Sequence, residues 1–161
     1  SIGSITDDLG TANYLVGILE GNIIPEIVPV MIFAFSAFIA FTIGSSWGTV
    51  AIVMPLAIPL ANSIGIPMLP TIAAVLTASV MGDHCSPISD TTIMSSTASA
   101  VDHMDHVSTQ MPYALTVGLI AALFGFLPAG FGLSAIYLLP LGVIVLYIIV
   151  QLLGKKAENV I

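Results

Sequence analysis

Long apolar runs alternate with short polar breaks along the chain, and the lengths of these runs predict its elements. Residues 131–153 carry no charge, and a helix of this length, at about 1.5 Å per residue, crosses roughly 30 Å of hydrocarbon. Residues 111–127 form a second apolar run, which the short turn 128–130 joins to the first. We therefore predict two full transmembrane helices, at 111–127 and at 131–153.

Residues 27–61 predict a different element, because a polar break divides two apolar limbs. The break is the sequence Gly-Ser-Ser-Trp-Gly-Thr at 44–49, and Pro55 and Pro59 lie in the limb that follows it. The apolar part of that limb, 50–61, covers only about 18 Å as a helix, which is too short to span a bilayer. We expect a re-entrant helical hairpin over 27–61 with its polar tip at 44–49, entering and leaving the membrane on one side.

A second polar break lies within residues 70–101. The apolar run stops at Gly82, a polar stretch continues to Asp90, and Pro87 removes a backbone donor inside it. This pattern predicts one discontinuous transmembrane helix, 70–101, with an unwound centre at 82–90. Broken helices and hairpin tips at membrane depth are typical of secondary transporters, so we expect the two breaks to face each other.

The remaining segments are predicted from their polarity. Residues 1–26 have a mixed pattern that fits an interfacial helix or the end of a preceding span. Residues 102–110 are predicted to be a cytoplasmic loop, and residues 154–161 a cytoplasmic tail, because Lys155 and Lys156 follow the positive-inside rule. The abrupt polar start and the small number of spans lead us to expect the C-terminal part of a longer polytopic protein.

Composition supports a membrane protein and excludes several other classes. Hydrophobic residues make up 57% of the chain, charged residues 7%, and the mean hydropathy is +1.10. The formal net charge is -7 and the chain has only two lysines, so nucleic acid is excluded as a partner. The single Cys85 excludes an internal disulfide, and no nucleophile elbow indicates a hydrolase.

The polar tip offers oxygen ligands for a small cation. Ser45, Ser46 and Thr49 supply hydroxyls, and the glycines allow close approach of a backbone whose carbonyls are free. Hard cations such as sodium take oxygen ligands. A helix-packing patch of small residues explains the same sequence, and both interpretations stay open at this point.

Asp83 and Asp90 are the main candidates for a functional role. A carboxylate near the bilayer centre costs roughly 2.5 to 3.5 kcal/mol, so such residues normally face a cavity and mark an ion or substrate path. A buried carboxylate can hold either a proton or a metal cation, and binding one expels the other. We predict that both carboxylates bind sodium and couple its movement to that of protons.

Further donors lie beside these carboxylates in the sequence. Ser86, Ser89 and Thr91 add hydroxyl oxygens, and His84 could titrate near neutrality and relay a proton. The segment is a weak zinc site, because no second ligand pair has a usable spacing. A polar network that merely holds the broken helix together is the alternative explanation.

The sequence Asp-His-Met-Asp-His at 102–106 has the residue types of a metal-binding tract. A solvated loop that caps two helices explains it better, with Asp102 at one helix end and Ser108 or Thr109 at the next. We therefore do not predict a metal site there.

Four segments together resemble a known family. They are Gly44-Ser45-Ser46-Trp47-Gly48-Thr49, residues 82–92, Asp102-His103 with Asp105-His106, and Gln110-Met111-Pro112-Tyr113-Ala114. The set is similar to the C-terminal half of NhaC-type sodium/proton antiporters over about residues 6–113, and the second segment is highly specific. Ser45 stands where threonine is common in that family, a change that keeps the hydroxyl.

The resemblance implies an ion-transporter-type architecture of inverted repeats, each with a re-entrant hairpin and a broken helix. Some similar proteins exchange organic acids, such as malate for lactate, coupled to sodium and protons. The substrate therefore stays open. A missing N-terminal half would carry the partner repeat and half of the site.

These observations predict an all-α, multi-pass protein of the cell (inner) membrane with a cytoplasmic C-terminus. We expect it to exchange sodium for protons by alternating access, to be no enzyme and to need no cofactor. Its expected partners are the lipid bilayer, the transported ions and the missing half of the same protein, while homo-oligomeric assembly stays open. The alternatives are a sodium-coupled organic acid exchanger, which the lack of cationic residues near either break disfavours, and a structural membrane subunit.

Overall fold

The computed structural model describes residues 24–154 continuously, together with positions 5, 8–11, 14 and 17. Within residues 24–154 the chain is helical and contains no strand. The α-helices are α1 (Val28–Ile43), α2 (Ser46–Ser63), α3 (Met68–Cys85), α4 (Asp90–Ala98), α5 (His103–Ile120), α6 (Leu127–Gly130) and α7 (Ala135–Leu153). A 3-10 turn, Pro25–Ile27, precedes α1, and the π-helical segment Ala121–Phe126 joins α5 to α6. Most of the predicted segment 1–26, and all of the predicted segment 154–161 except Gly154, lie outside the described residues.

Four of the described helices are long and apolar enough to cross a membrane. They are Pro25–Ile43, Ser46–Ser63, His103–Gly130 and Ala135–Leu152. The prediction of an all-α protein with several membrane spans is therefore supported by the lengths and composition of these helices. The re-entrant path of α1 and α2 through the bilayer stays a prediction.

The second limb of the predicted hairpin is longer than its apolar run. The limb forms the 18-residue helix α2, because residues 46–49 of the polar tip wind into its first turn. Ser45 caps this turn, with its hydroxyl accepting a hydrogen bond from the Gly48 amide at 3.2 Å. The argument that this limb is too short to span is therefore wrong.

The helices α1, α2 and α3 share one apolar core. The core residues are Val28, Ile32 and Phe33 of α1, Val53, Ala57, Leu60 and Ala61 of α2, Ile66 of the connection, and Ala74, Val75 and Ala78 of α3. Along each helix this cluster stops before the polar tip or the polar break is reached. The buried residues beyond that point are small or polar, and they include Ser36, Ala40, Thr49, Ser79, Gly82 and Asp83.

Close packing of α1 on α3 determines how the hairpin meets the broken helix. A Cβ added to Gly82 would collide with the Ala37 carbonyl oxygen and lie 2.7 Å from the Ala40 Cβ. Further along both segments, Gly44 lies against Ile88. The two helices therefore run in the same direction, and small residues allow their backbones to approach closely.

The break in the predicted discontinuous helix is narrower than the sequence suggested. Residues 82–85 belong to α3, so the unwound centre is 86–89 rather than 82–90. Ser86 has φ -76 and ψ 129, the extended conformation that the ring of the following Pro87 imposes. Gly82 remains helical, and its lack of a side chain allows α1 to pack closely there and does not unwind α3.

The segment 102–110 is helical rather than a loop, which corrects the sequence prediction. Asp102 caps α5, since its carboxylate accepts hydrogen bonds from the Met104 amide at 2.9 Å and the Asp105 amide at 3.1 Å. Ser108 and Thr109 are not caps, because their hydroxyls donate to the Asp105 carbonyl inside the helix. The actual connection between α4 and α5 is residues 99–102.

The last two helices also begin and end at different residues than predicted. Helix continues from His103 to Gly130, so 128–130 is not a turn. The turn is 131–134, and Ser134 caps α7, which replaces the predicted start at 131. Phe126 in the π-helical segment stacks on Phe33, with ring centroids 4.9 Å apart, and so packs this long helix against α1.

Candidate functional site

The hairpin tip and the broken helix meet at a backbone contact. Gly44 ends α1 with φ +67, in the left-handed region that favours glycine. A Cβ at this position would lie 2.8 Å from Ile88 Cγ1 and 2.9 Å from both the Ile88 carbonyl carbon and oxygen. Ile88 lies in the unwound centre, so the expectation that the two breaks face each other is confirmed.

Local hydrogen bonds fix the hydroxyls of the tip. The Thr49 hydroxyl is fully buried and donates to the Ser45 carbonyl at 2.9 Å. The same carbonyl accepts from the Thr49 amide at 3.1 Å, while the Ser45 hydroxyl is occupied as the helix cap. Ser46 is half-buried in the first turn of α2. These three residues therefore form a rigid start to α2 directly after the contact with the break.

The hydroxyls of the break are arranged in a similar way. Ser86 and Ser89 are fully buried, and the Ser86 hydroxyl accepts from the Ile88 amide at 3.3 Å. The Ser89 and Thr91 hydroxyls lie 2.8 Å apart and share a hydrogen bond, although Thr91 itself is exposed. The predicted oxygen donors of the break thus surround the unwound backbone and stabilise its turn.

Helix α5 binds the broken helix at two carbonyls, a role that the sequence analysis missed. His103 Nε2 lies 2.6 Å from the Pro87 carbonyl, and Gln110 Nε2 donates to the His84 carbonyl at 3.1 Å. Carbonyls near a helix end have no hydrogen-bond donor within the helix, so these two bonds replace the helical hydrogen bonds that the break removes. His103 and Gln110 are seven residues apart and lie on one helical face, a spacing that would have indicated this role had 102–110 been interpreted as helix.

The two predicted carboxylates occupy different environments. Asp83, in the last turn of α3, is only 4% exposed, and its Oδ1 has no hydrogen-bond partner. Asp90 opens α4 and is exposed, and its Oδ1 accepts from the Thr91 amide at 2.8 Å. Of the two, Asp83 is the buried carboxylate, and it directly follows Gly82, where α1 packs on α3.

A small cavity lies on the other side of the break, between α3, α4 and α5. Its volume is about 140 Å³, and it is lined by His84, Thr91, Thr92, Ser95, His106 and Gln110. His84 Nδ1 lies 2.8 Å from the Val80 carbonyl, which can only accept, so Nδ1 carries a proton.

The side chains of residues 24–154 do not form a transition-metal site. No three histidine, cysteine or carboxylate side chains in the described part of the chain lie close enough to hold a metal ion. The tract 102–106 is used instead for capping and for the bond from His103 to the break.

Three known proteins are similar to parts of this chain. A protein of Haemophilus influenzae with no assigned function is 43% identical over 137 residues, which is 84% of this chain and 26% of that protein. An arginine/ornithine antiporter of Halobacterium salinarum is 40% identical over 52% of this chain and 17% of its own. A malate-2H(+)/Na(+)-lactate antiporter of Bacillus subtilis is 34% identical over 50% of this chain and 17% of its own.

The chain spans about a quarter or less of the length of these relatives. No solved structure matches it. The sequence profile of the Na+/H+ antiporter family matches residues 1–131, a range that includes the hairpin tip, the broken helix and the face of α5 that binds it. The chain therefore belongs to the Na+/H+ antiporter family.

Proposed function

We propose that the chain forms part of an NhaC-type secondary transporter that exchanges sodium for protons by alternating access. The burial of Asp83 is the observation that carries this proposal. Asp83 directly follows Gly82, on which α1 of the hairpin packs; it is only 4% exposed, and its Oδ1 has no hydrogen-bond partner. A buried carboxyl in this state is stabilised either by a proton or by a bound cation.

Few positively charged side chains are available to pair with Asp83. The sequence has only Lys155 and Lys156 as permanent cations, and both come after the last helix. The adjacent His84 has one ring nitrogen on the Val80 carbonyl and lines the cavity. Sodium and a proton therefore compete for the same carboxylate, so loading one releases the other.

The remaining predicted residues have supporting roles in this proposal. Ser86 and Ser89 keep the unwound backbone turned toward the tip, and Ser45, Ser46 and Thr49 hold the tip in place. Asp90, exposed at the start of α4, attracts cations to the break by its charge. Thr91 lies next to it, and His84 relays protons through the cavity. In this proposal Asp83 is the sodium ligand, Asp90 is the second carboxylate and His84 relays protons. The oxygen donors are Ser45, Ser46, Thr49, Ser86, Ser89 and Thr91.

The architecture we propose follows from the same resemblance. The pair α1–α2 is the re-entrant hairpin of one inverted repeat, and α3–α4 is its broken helix. The other repeat lies in the rest of the same protein, in the cell membrane, and the C-terminus of this chain faces the cytoplasm. Movement of one repeat against the other would expose Asp83 to each side of the membrane in turn.

Sodium-coupled exchange of organic acids is the second candidate function. The cavity contains two imidazoles, His84 and His106, together with hydroxyls and the Gln110 amide, which is chemistry that binds a carboxylate. These side chains offer hydrogen-bond donors beside the break, where the sequence has no lysine or arginine. Two of the relatives carry names that denote exchange of organic substrates.

Flux measurements on the full-length protein in proteoliposomes test the proposal. An inward sodium gradient should drive protons out in the wild type, and Asp83→Asn should abolish that flux because an amide binds neither ion in exchange. Asp90→Asn should lower the rate. Asp105→Asn is the matched control, since Asp105 is an exposed carboxylate on α5 and should leave the flux unchanged.

Other outcomes would overturn the proposal in identifiable ways. Sodium-driven proton flux that persists in Asp83→Asn would remove this residue from the mechanism. Counterflow of malate or lactate without a sodium-linked pH change would support the organic acid exchanger. No flux of either kind would support a structural role for the chain.

A further inference from the structure

Ser36 differs from the other buried hydroxyls of the bundle. Thr49, Thr71 and Ser79 each donate to a carbonyl one turn back in their own helix. Ser36 is equally buried, at 0% exposure, yet its Oγ has no hydrogen-bond partner. A buried polar atom without a partner is costly, so it calls for an explanation.

The second such atom in the described part of the chain is Asp83 Oδ1. The two atoms belong to α1 and α3, the helices that approach each other most closely at Gly82. Ser36 precedes Ala37, whose carbonyl oxygen lies against Gly82, and Asp83 follows Gly82. Both unpartnered oxygens therefore belong to residues that flank the closest approach of α1 and α3.

Helix geometry brings the two side chains to a similar level. Ser36 lies one turn before Ala40 on the same face, and the Ala40 Cβ lies 2.7 Å from the position of a Cβ on Gly82. Side chains on a helix lean toward its N-terminus, so the Asp83 side chain leans back along α3, toward the level of Ser36 on the parallel helix α1.

We propose that Ser36 Oγ and Asp83 Oδ1 are ligands of one dehydrated sodium site at the interface of α1 and α3. The proposal rests on the sodium/proton exchange proposed above and adds to it a residue that neither break contains. One carboxylate and one hydroxyl are hard oxygen ligands, and the cation gives each the partner that the protein does not provide. Sodium thereby links the hairpin to the broken helix.

Sodium dependence of the full-length protein tests this assignment. Ser36→Ala should raise the sodium concentration for half-maximal exchange about tenfold, which corresponds to about 1.4 kcal/mol of binding free energy. Ser36→Cys should have a similar effect, because it keeps the side-chain volume but replaces hard oxygen with soft sulfur. Ser79→Ala is the matched control, since its buried hydroxyl already donates to the Val75 carbonyl at 2.6 Å.

Thermal stability in detergent separates a ligand from a structural residue. Without sodium, Ser36→Ala should unfold at the wild-type temperature or higher, because it removes an unsatisfied hydroxyl. The increase in Tm on adding sodium chloride, relative to choline chloride, should be smaller than in the wild type. Ser79→Ala should keep the full increase.

The two proposals fail in different ways. If the wild type exchanges sodium for protons but Ser36→Ala and Ser79→Ala have the same sodium dependence, Ser36 is not a ligand. If the wild type shows no sodium-linked proton flux and no sodium-induced rise in Tm, both proposals are wrong. A Ser36→Ala protein that is less stable in sodium-free buffer, with an unchanged response to sodium, would show that the hydroxyl is structural.

Discussion

Replacing Gly44 with alanine tests the contact between the hairpin tip and the broken helix. An alanine at φ +67 costs about 1 to 2 kcal/mol, because the left-handed conformation is strained for any residue with a Cβ. Its methyl group would also lie 2.9 Å from the Ile88 backbone, which cannot move without disturbing the break. Overpacking of this kind typically costs about 1 to 3 kcal/mol more.

Gly65 provides a matched control for that substitution. It has φ +71 in the connection between α2 and α3, and a Cβ there would meet nothing within 4 Å. Gly65→Ala should therefore lose only about 1 to 2 kcal/mol, whereas Gly44→Ala should lose about 2 to 5 kcal/mol. The difference between the two variants measures the tip–break contact.

Denaturant unfolding of the full-length protein in mixed micelles would compare these free energies of unfolding. Gly44→Ala should also slow exchange, because it separates the two breaks, while Gly65→Ala should exchange at the wild-type rate. Equal losses of stability in the two variants, with equal transport rates, would show that the tip does not pack on the break.

Two further substitutions test how the broken helix is held. His103→Ala should destabilise the protein by about 1 to 3 kcal/mol, measured as a fall in Tm, because the Pro87 carbonyl loses its partner; an unchanged Tm would mean that this bond is not formed. Gly82→Ala should lower stability by about 1 to 3 kcal/mol, since its methyl meets the Ala37 carbonyl. Gly142→Ala in α7, where a Cβ would meet nothing within 4 Å, should instead raise the stability by about 0.5 to 1 kcal/mol through helix propensity. A change of the same sign in both glycine variants would contradict the packing of α1 on Gly82.

The sequence predicted the features that depend on local chemistry. Pro87 forces the preceding residue into an extended conformation, so the break could be placed from the sequence, although not its narrow limits. Asp102 has the residue type of a helix cap and does cap a helix, although that helix begins at His103 and not after a loop at 102–110. Family membership was predicted from the specific residues of the tip and the break, and it is confirmed at the level of the Na+/H+ antiporter family.

Features that depend on packing could not be predicted in the same way. Gly82 was placed in the predicted unwound centre, whereas it is helical and allows α1 to approach, and nothing in its neighbouring residues distinguishes these roles. Polar residues at 103–110 resemble a loop until the Pro87 and His84 carbonyls are known to need donors. Ser36 lies inside an apolar run, and only the hydrogen bonds of the folded chain single it out.

Proton release on sodium binding is the most direct test of the central claim, which is that sodium and a proton compete for Asp83. Sodium chloride would be added to the full-length protein in weakly buffered detergent containing a pH indicator, with choline chloride as the control. The wild type should release about one proton for each sodium ion bound, and Asp83→Asn should release none. Equal proton release from the wild type and Asp83→Asn would contradict the account.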